Sequence, residues 1–357
     1  MQAYSDLPQT AFWRTGALES DPLCPEGIES PQRRISPRDK VATAGSCFAQ
    51  HVSRFLRDSE LSFLDVEPAP RSLPADRHSA HGYSMYSARY GNIYTVRQLL
   101  QLVKEVRGED EPRESVWEKE GRFFDALRPG VTPDGLDDEA EVRAHRSWHL
   151  ERLQELFATM DVFIFTMGLT EAWEHIQSGT VYPTAPGVLA GSHDPAIFAF
   201  HNFNYEEVLA DFLDLQALLS DFRSGKDPLR YVLTVSPVPL TATASGNHVL
   251  SASTYSKAVL RAVAGRLSDT QEEVDYFPSY EIVTNPAARS SFYADNLRSV
   301  TPQGVHAAMS VFLRAHGQPV PELGSDEQSS TSKPMTDPAA GETDLECEEA
   351  LLEAFSR

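Results

Sequence analysis

The sequence predicts an α/β fold: a three-layer α/β/α arrangement on a mainly parallel sheet. Three observations carry this. Short apolar runs of strand length recur along the chain, amphipathic stretches of helical period separate them, and small or turn-forming residues follow each run. Residues 40–44 (KVATA) form a short run of small residues that stops at Gly45, and AQHVSRFLRD then reads as a helix. Residues 161–166 (DVFIFT) are rich in Phe, Val and Ile, as suits a strand buried on both faces. Residues 230–236 (RYVLTVS) look the same and end at Pro237; 274–277 (VDYF) is a weaker fourth strand stopped by Pro278. Stretches 94–106, 144–158, 206–219, 253–267 and 302–315 carry apolar residues at helical spacing. Strands separated by helices pair in parallel through right-handed crossovers. Ligands then bind beyond the carboxyl ends of the strands. That rule singles out Gly45-Ser46-Cys47, Gly168-Leu169-Thr170-Glu171 and Ser236-Pro237-Val238-Pro239.

Two regions depart from the alternation. Residues 68–150 are rich in Pro, Gly and Tyr and read as a cap insertion over the site, within an α/β domain of residues 1–316. Residues 317–357 read as an acidic, disordered tail; from Pro321 onward there are ten acids against two bases. Only 345–355 has apolar residues at helical spacing, as a frayed end or a docking helix.

The 357 residues include 31 Lys or Arg and 52 Asp or Glu, a net charge of −21, with 41% hydrophobic and 23% charged residues. That is globular composition. The charge argues against nucleic acid or an anionic membrane surface as partner. No apolar run approaches the ~20 residues of a membrane span. The opening MQAYSDLPQTAFWRTG has no secretory pattern, and three scattered cysteines (Cys24, Cys47, Cys347) form no framework, so a reducing cytoplasm is expected. No phosphate loop or zinc motif is present, so neither metal nor cofactor is expected. The expected partner is a small-molecule or glycan substrate; the sequence leaves oligomeric state undefined.

The sharpest chemical feature is Thr43-Ala44-Gly45-Ser46-Cys47-Phe48-Ala49. It brings Ser46 and Cys47 to the start of a helix, whose N–H groups and dipole depress a thiol's pKa and stabilise an oxyanion. The plainer reading makes Ser46 an N-cap and Cys47 a small buried residue. Glu171 suits the first turn of a helix or a role orienting a base. His51, four residues after Cys47, shares a helix face with it; His306 lies one turn into the last long helix. His248, His78 and His81 are further imidazoles. Arg298 can hold a carboxylate or phosphate bidentately. Asn92, Tyr94, Thr95 and Gln98 can contact a sugar or acyl group, Thr95 equally serving as a helix cap.

Gly45-Ser46-Cys47-Phe48-Ala49 spells the signature of the GSCFA-domain family. AYSDLPQTAFWR, YGNIYTVRQLLQL, GRFFDALRPGV, TMGLTEAW, TVSPVPLTATA, TYSKAVLRAVA, YFPSYEIV and RSVTPQGV resemble its proteobacterial branch, over residues 3–315. The resemblance implies kinship with SGNH/GDSL-type hydrolases and their α/β/α fold. Aligning that superfamily's Gly-Asp-Ser block on Gly45 puts Cys47 at the nucleophile; sliding by one puts Ser46 there. The first frame keeps the spacing and favours Cys47. The Gly-x-Asn-Asp oxyanion block falls on Gly168-Leu169-Thr170-Glu171, with Thr170 replacing Asn. The Asp-x-x-His block falls at Asp295, where Arg298 stands in place of the histidine. The usual triad is therefore incomplete, and His51 or His306 is the expected substitute base, oriented by Asp295 or Glu171.

Two functions follow as expectations. One is an esterase or acyltransferase on an acylated or hydroxylated, carbohydrate-like substrate, with Cys47 or Ser46 as nucleophile and Gly168 and Thr170 in the oxyanion hole. The other is a catalytically impaired protein of the same fold that binds a glycan or peptide.

Overall fold

The computed structural model describes residues 4–223, 225–321 and 348–355. In chain order the elements are β1 (Lys40–Gly45), α1 (Cys47–Arg57), β2 (Ser62–Phe63), α2 (Val96–Val106), β3 (Val116–Lys119), β4 (Arg122–Asp125), α3 (Glu139–Thr159) and β5 (Val162–Met167). There follow β6 (Glu171–His175), β7 (Val181–Tyr182), β8 (Phe198–Asn202), α4 (Tyr205–Asp221), β9 (Arg230–Val235), α5 (Val249–Thr270), β10 (Val274–Tyr276), α6 (Ser279–Val283) and α7 (Pro302–Ala315).

Five strands form one parallel sheet in the order β10-β9-β5-β1-β2. The four strands expected from the sequence are all in it. β5 is buried along its whole length, which is why its sequence is a continuous apolar run. The pleat sorts the side chains into two layers. Ala42, Ala44, Phe163, Phe165, Tyr231, Leu233 and Val235 share a core with residues of α2, α3, α4 and α5. Val41, Val162, Ile164 and Val232 share the other core with Phe48, Val52 and Leu56 of α1 and with α6 and α7. The result is the expected α/β/α sandwich.

The sequence did not signal two small sheets. β3 and β4 form an antiparallel hairpin, and β6, β7 and β8 a three-stranded sheet in the order β7-β6-β8. Their strands are short, and Trp117, Phe124, Tyr182 and Phe198 bury one side of them in a separate aromatic cluster. Glu171 is accordingly the first residue of a strand, not of a helix.

Part of residues 68–150 packs into the main core beside β1. Tyr86, Ala88, Tyr90 and Ile93 lie in the main core with α2. The chain there runs beside β1, with Thr43 N–H donating to Ser87 Oγ (2.9 Å) and Ile93 N–H to the Gly45 carbonyl (2.9 Å). A buried ionic lattice anchors the rest. Arg128 donates to Asp125 (2.7 Å) and to the Arg89 carbonyl (2.9 Å), and Arg146 bridges Asp125 and Glu105. Glu67 accepts from the Arg89 N–H and pairs with His149 Nδ1, both at 2.6 Å. Burial acts to raise the Asp125 pKa, but Arg146 and Arg128 overcome it and hold the carboxyl below its usual range. The lattice accounts for Asp125 and Arg128 of GRFFDALRPGV.

At the C-terminal end, Glu348–Phe355 is a 3₁₀-helix with Leu351 and Phe355 exposed. Of the tail expected to be disordered, 317–321 is described, with Gln318 buried and Val320 packed against the second core; residues 322–347, Cys347 included, and 356–357 lie outside the described residues. No helix among the described residues is long and apolar enough to cross a membrane.

Removing one member of a buried ion network strands the other charges, at about 3–5 kcal/mol. Arg128→Met is therefore expected to lower the urea midpoint strongly, whereas Arg143→Met, in an exposed pair with Glu139, should leave it within the ~0.5 kcal/mol usual for a surface change. Urea denaturation of the two variants checks this.

Candidate active site

The site lies at the carboxyl ends of β1, β5 and β9. A pocket there is lined by Ser46, Cys47, Tyr94, Gly168, Leu169, Ser236, Val238, Pro239, Leu240 and Lys257. All three turns expected to follow the strands therefore contribute to one cavity.

Two glycines set its geometry. Gly45 ends β1 at φ +144°, and a Cβ there would sit 2.8 Å from Thr166 Cβ and nearer still to the Thr166 carbonyl oxygen. Only glycine fits both the angle and the space. The Ser46 N–H continues the ladder onto that same carbonyl (3.2 Å). Gly168, beyond β5, approaches as closely: a Cβ there would lie 2.9 Å from Ser46 Cβ and 3.2 Å from the Tyr94 ring.

Ser46 sits at the N-cap of α1 with an extended backbone, but its side chain makes no capping bond. Its hydroxyl oxygen is buried, with no hydrogen-bond partner among the described residues. Cys47 is the first residue of α1, where backbone N–H groups and the positive end of the helix dipole converge. Exposure is 3% at Ser46 and 9% at Cys47. Cys24 is a free thiol, whereas Cys47 is disulfide-bonded. The expectation of reduced cysteines thus holds at Cys24 and not at Cys47, which carries a thiol only in the reduced chain.

The other expected residues divide into those the fold brings to the pocket and those it does not. Tyr94 lines it, and its carbonyl accepts from the N–H groups of Gly168 (2.9 Å) and Leu169 (3.2 Å). Gly168 lines it too, but its N–H is spent on that bond. Thr170 turns away: its N–H meets Ser256 Oγ (3.0 Å) and its hydroxyl donates to Asn202 (2.7 Å). Asn92 lies just behind the turn; its amide oxygen accepts from Tyr86 OH (2.5 Å) and Gln50 (3.2 Å), and Tyr86 OH also reaches the Ser46 carbonyl (3.2 Å). Thr95 caps α2, accepting from the Gln98 N–H. Glu171 accepts from the Thr243 hydroxyl (2.7 Å).

Neither expected base is among the described lining residues. His51 packs edge-on against Phe48, ring centroids 5.9 Å apart, in the layer of α1 and α7. Burial, then the Arg54 charge, push its pKa down to about 4. His306 contacts the Pro321 carbonyl (2.9 Å) and Ser310 (3.3 Å). His248 caps α5, accepting from the Leu250 N–H. Asp295 is exposed in a loop where the Arg298 N–H donates to Asn296 Oδ1 (2.9 Å). That loop reaches the pocket wall through Tyr293, whose hydroxyl donates to the Pro237 carbonyl (2.8 Å).

The sequence reading missed Lys257 and the two serines before it. All three are buried on the first turns of α5, with Lys257 at 4% exposure. Ser253 Oγ accepts from the Leu240 N–H (3.1 Å), Ser256 Oγ from the Thr170 N–H, and Lys257 Nζ donates to the Gly168 carbonyl (2.5 Å). Three polar residues at helical spacing on a core-facing helix, as in SASTYSK, were the available signal. Among the described residues, no group of three or more His, Cys, Asp or Glu is placed to hold a metal ion.

Two expected outcomes follow. Gly45→Ala should cost at least about 2 kcal/mol, because the added methyl meets backbone and not a flexible side chain; thermal unfolding measures it. The folded His51 pKa lies below the unfolded value of about 6.5, so the unfolded state binds the extra proton. The stabilisation is full above pH 6.5 and drains away toward pH 4. His51→Gln should therefore flatten the fall of melting temperature between pH 7 and pH 5.

The family model described as GSCFA family matches residues 40–312, which span the parallel sheet and every residue of the pocket. Curated proteins give no match. By that match over most of its length, the chain belongs to the GSCFA family.

Proposed function

We propose that the protein is an acyl-group enzyme, an esterase or acyltransferase acting on an acylated or hydroxylated, carbohydrate-like substrate, of the SGNH-hydrolase type. One observation carries the reading. At the ends of three parallel strands, a glycine that tolerates no side chain delivers Ser46 and Cys47 together into a single pocket at a helix N-terminus. In the reduced chain Cys47 attacks the acyl carbonyl. The start of α1 holds the developing oxyanion, worth about 3–4 kcal/mol for one well-placed donor. Tyr94, Leu169, Val238 and Leu240 give the pocket an apolar side that suits an acyl group. The buried Ser46 hydroxyl without a partner is the specific observation that favours serine as the alternative nucleophile. The absence of a histidine among the described lining residues favours the second reading, a glycan- or peptide-binding protein.

One experiment separates them. The reduced chain is incubated with p-nitrophenyl acetate and its peptides are mapped by mass spectrometry. A single acetyl group on Cys47, removed by neutral hydroxylamine and lost in Cys47→Ala, is expected. A hydroxylamine-resistant acetyl on Ser46 would make serine the nucleophile. No acetyl at either residue would support binding over catalysis.

A further inference from the structure

We propose that Lys257 is the proton-transfer residue of this site and does the work that a histidine does in the usual triad. The inference rests on the acyl-enzyme reading above and deepens it.

Among the described lining residues Ser46 and Ser236 offer only hydroxyls, which are not bases near neutral pH, and Cys47, Tyr94 and Lys257 are the side chains that titrate. A buried tyrosine is a poor base: its unperturbed pKa is near 10, and burial disfavours the phenolate. A lysine amine shifts its pKa readily when buried and serves as a general base or acid for that reason. The position of Lys257 is also fixed. It lies one helical turn from Ser253 and beside Ser256, and the three side chains tie α5 to both pocket walls, at 168–170 and at Leu240. Its ammonium holds the carbonyl of Gly168, and Gly168 lies against Ser46. The nitrogen is thereby anchored at the turn that carries the nucleophile. The same residue also lines an open groove along α5 with Arg261 and Arg266, which gives the amine a route to solvent protons.

The proton balance closes. In the resting reduced site the proton sits on Lys257 and Cys47 is a thiolate. The thiolate attacks the ester carbonyl carbon, a C–S bond forms, and the π electron pair moves to oxygen. Collapse breaks the C–O bond, and the departing alkoxide takes the proton from the Lys257 ammonium. The neutral amine then removes a proton from water or an acceptor hydroxyl as that oxygen attacks the thioester. The C–S bond breaks, and thiolate and ammonium are restored.

The test uses the full chain, reduced, with Cys24→Ser and Cys347→Ser, and compares Lys257 with K257R and K257M. Circular dichroism first establishes that each is folded; if K257M is not, K257R decides. Alkylation of Cys47 by iodoacetamide is followed from pH 5 to 9, and p-nitrophenol release from p-nitrophenyl acetate is resolved into burst and steady state. The p-nitrophenolate leaves without a proton, so the burst reports acylation and the steady state reports activation of water. With Lys257 in place, alkylation should show an inflection well below the ordinary thiol value of about 8.5. K257R keeps a positive charge but cannot accept a proton. It should keep the low inflection and the burst while steady-state turnover falls about 100-fold, the lower end of general acid–base contributions. K257M should lose the low inflection as well. Wild-type turnover in K257R, or an unshifted inflection in K257M, would overturn the assignment. Absence of a burst with Lys257 in place would instead contradict the acyl-enzyme reading, while the alkylation profiles would still judge the Cys47–Lys257 pairing.

Discussion

The contact between Gly45 and Thr166 is the constraint on which the site depends. β1 and β5 run in register to the very end, Gly45 opposite Thr166. At that point the chain must leave the sheet with no room for a side chain. The exit direction is thereby set, Ser46 is held by one more ladder bond, and α1 starts at Cys47. Gly168 repeats the arrangement from the β5 side, pressed against Ser46 and Tyr94. Three segments far apart in sequence (45–47, 92–94 and 168–170) are locked together by backbone. Function placed on such a frame is preorganised, because the frame has no slack to relax into.

The long excursion between β2 and β5 contributes to that frame. Tyr90 donates its hydroxyl to the Thr43 carbonyl of β1, and its ring meets His149 edge-on at 6.3 Å. His149 in turn belongs to the ionic lattice of Glu67, Arg89, Arg128 and Asp125. Direct contacts therefore run from the lattice to the strand that leads into the Ser46–Cys47 turn. Buried ion pairs of this kind add little net stability over a packed apolar core but penalise any mispairing heavily. Their physical effect here is to specify one arrangement of the excursion.

The legible parts of the fold were those whose burial is simple. β5 and β9 are covered on both faces, so DVFIFT and RYVLTV read as strands without tertiary information. β6 was not legible because Glu171, Trp173, Glu174 and His175 are only partly buried, and the strand is defined by pairing to β8, about thirty residues away. At the site, the glycine turn and its two candidate nucleophiles were legible because they are contiguous. The proposed proton-transfer group was not. Helical spacing pointed to His51, but Cys47 lies at the mouth of α1, where the sheet ends, while His51 packs beside Phe48 in the layer beneath. Lys257 is 210 positions from Cys47 in sequence, and only the crossover from β9 through α5 brings it to the turn. Spacing reports neighbours on one element; it is silent about neighbours across a sheet.

The central claim is that the start of α1 and the residue that opens it form an acyl-transfer centre. A crystal structure of the reduced chain, soaked with an activated acetyl ester and flash-cooled, tests it most directly. The account predicts electron density for an acetyl group on the Cys47 sulfur, with its carbonyl oxygen about 3 Å from backbone N–H groups of the first turn of α1. An acetyl group on a surface lysine or histidine instead, with the pocket and the Ser46–Cys47 turn unmodified, would contradict it.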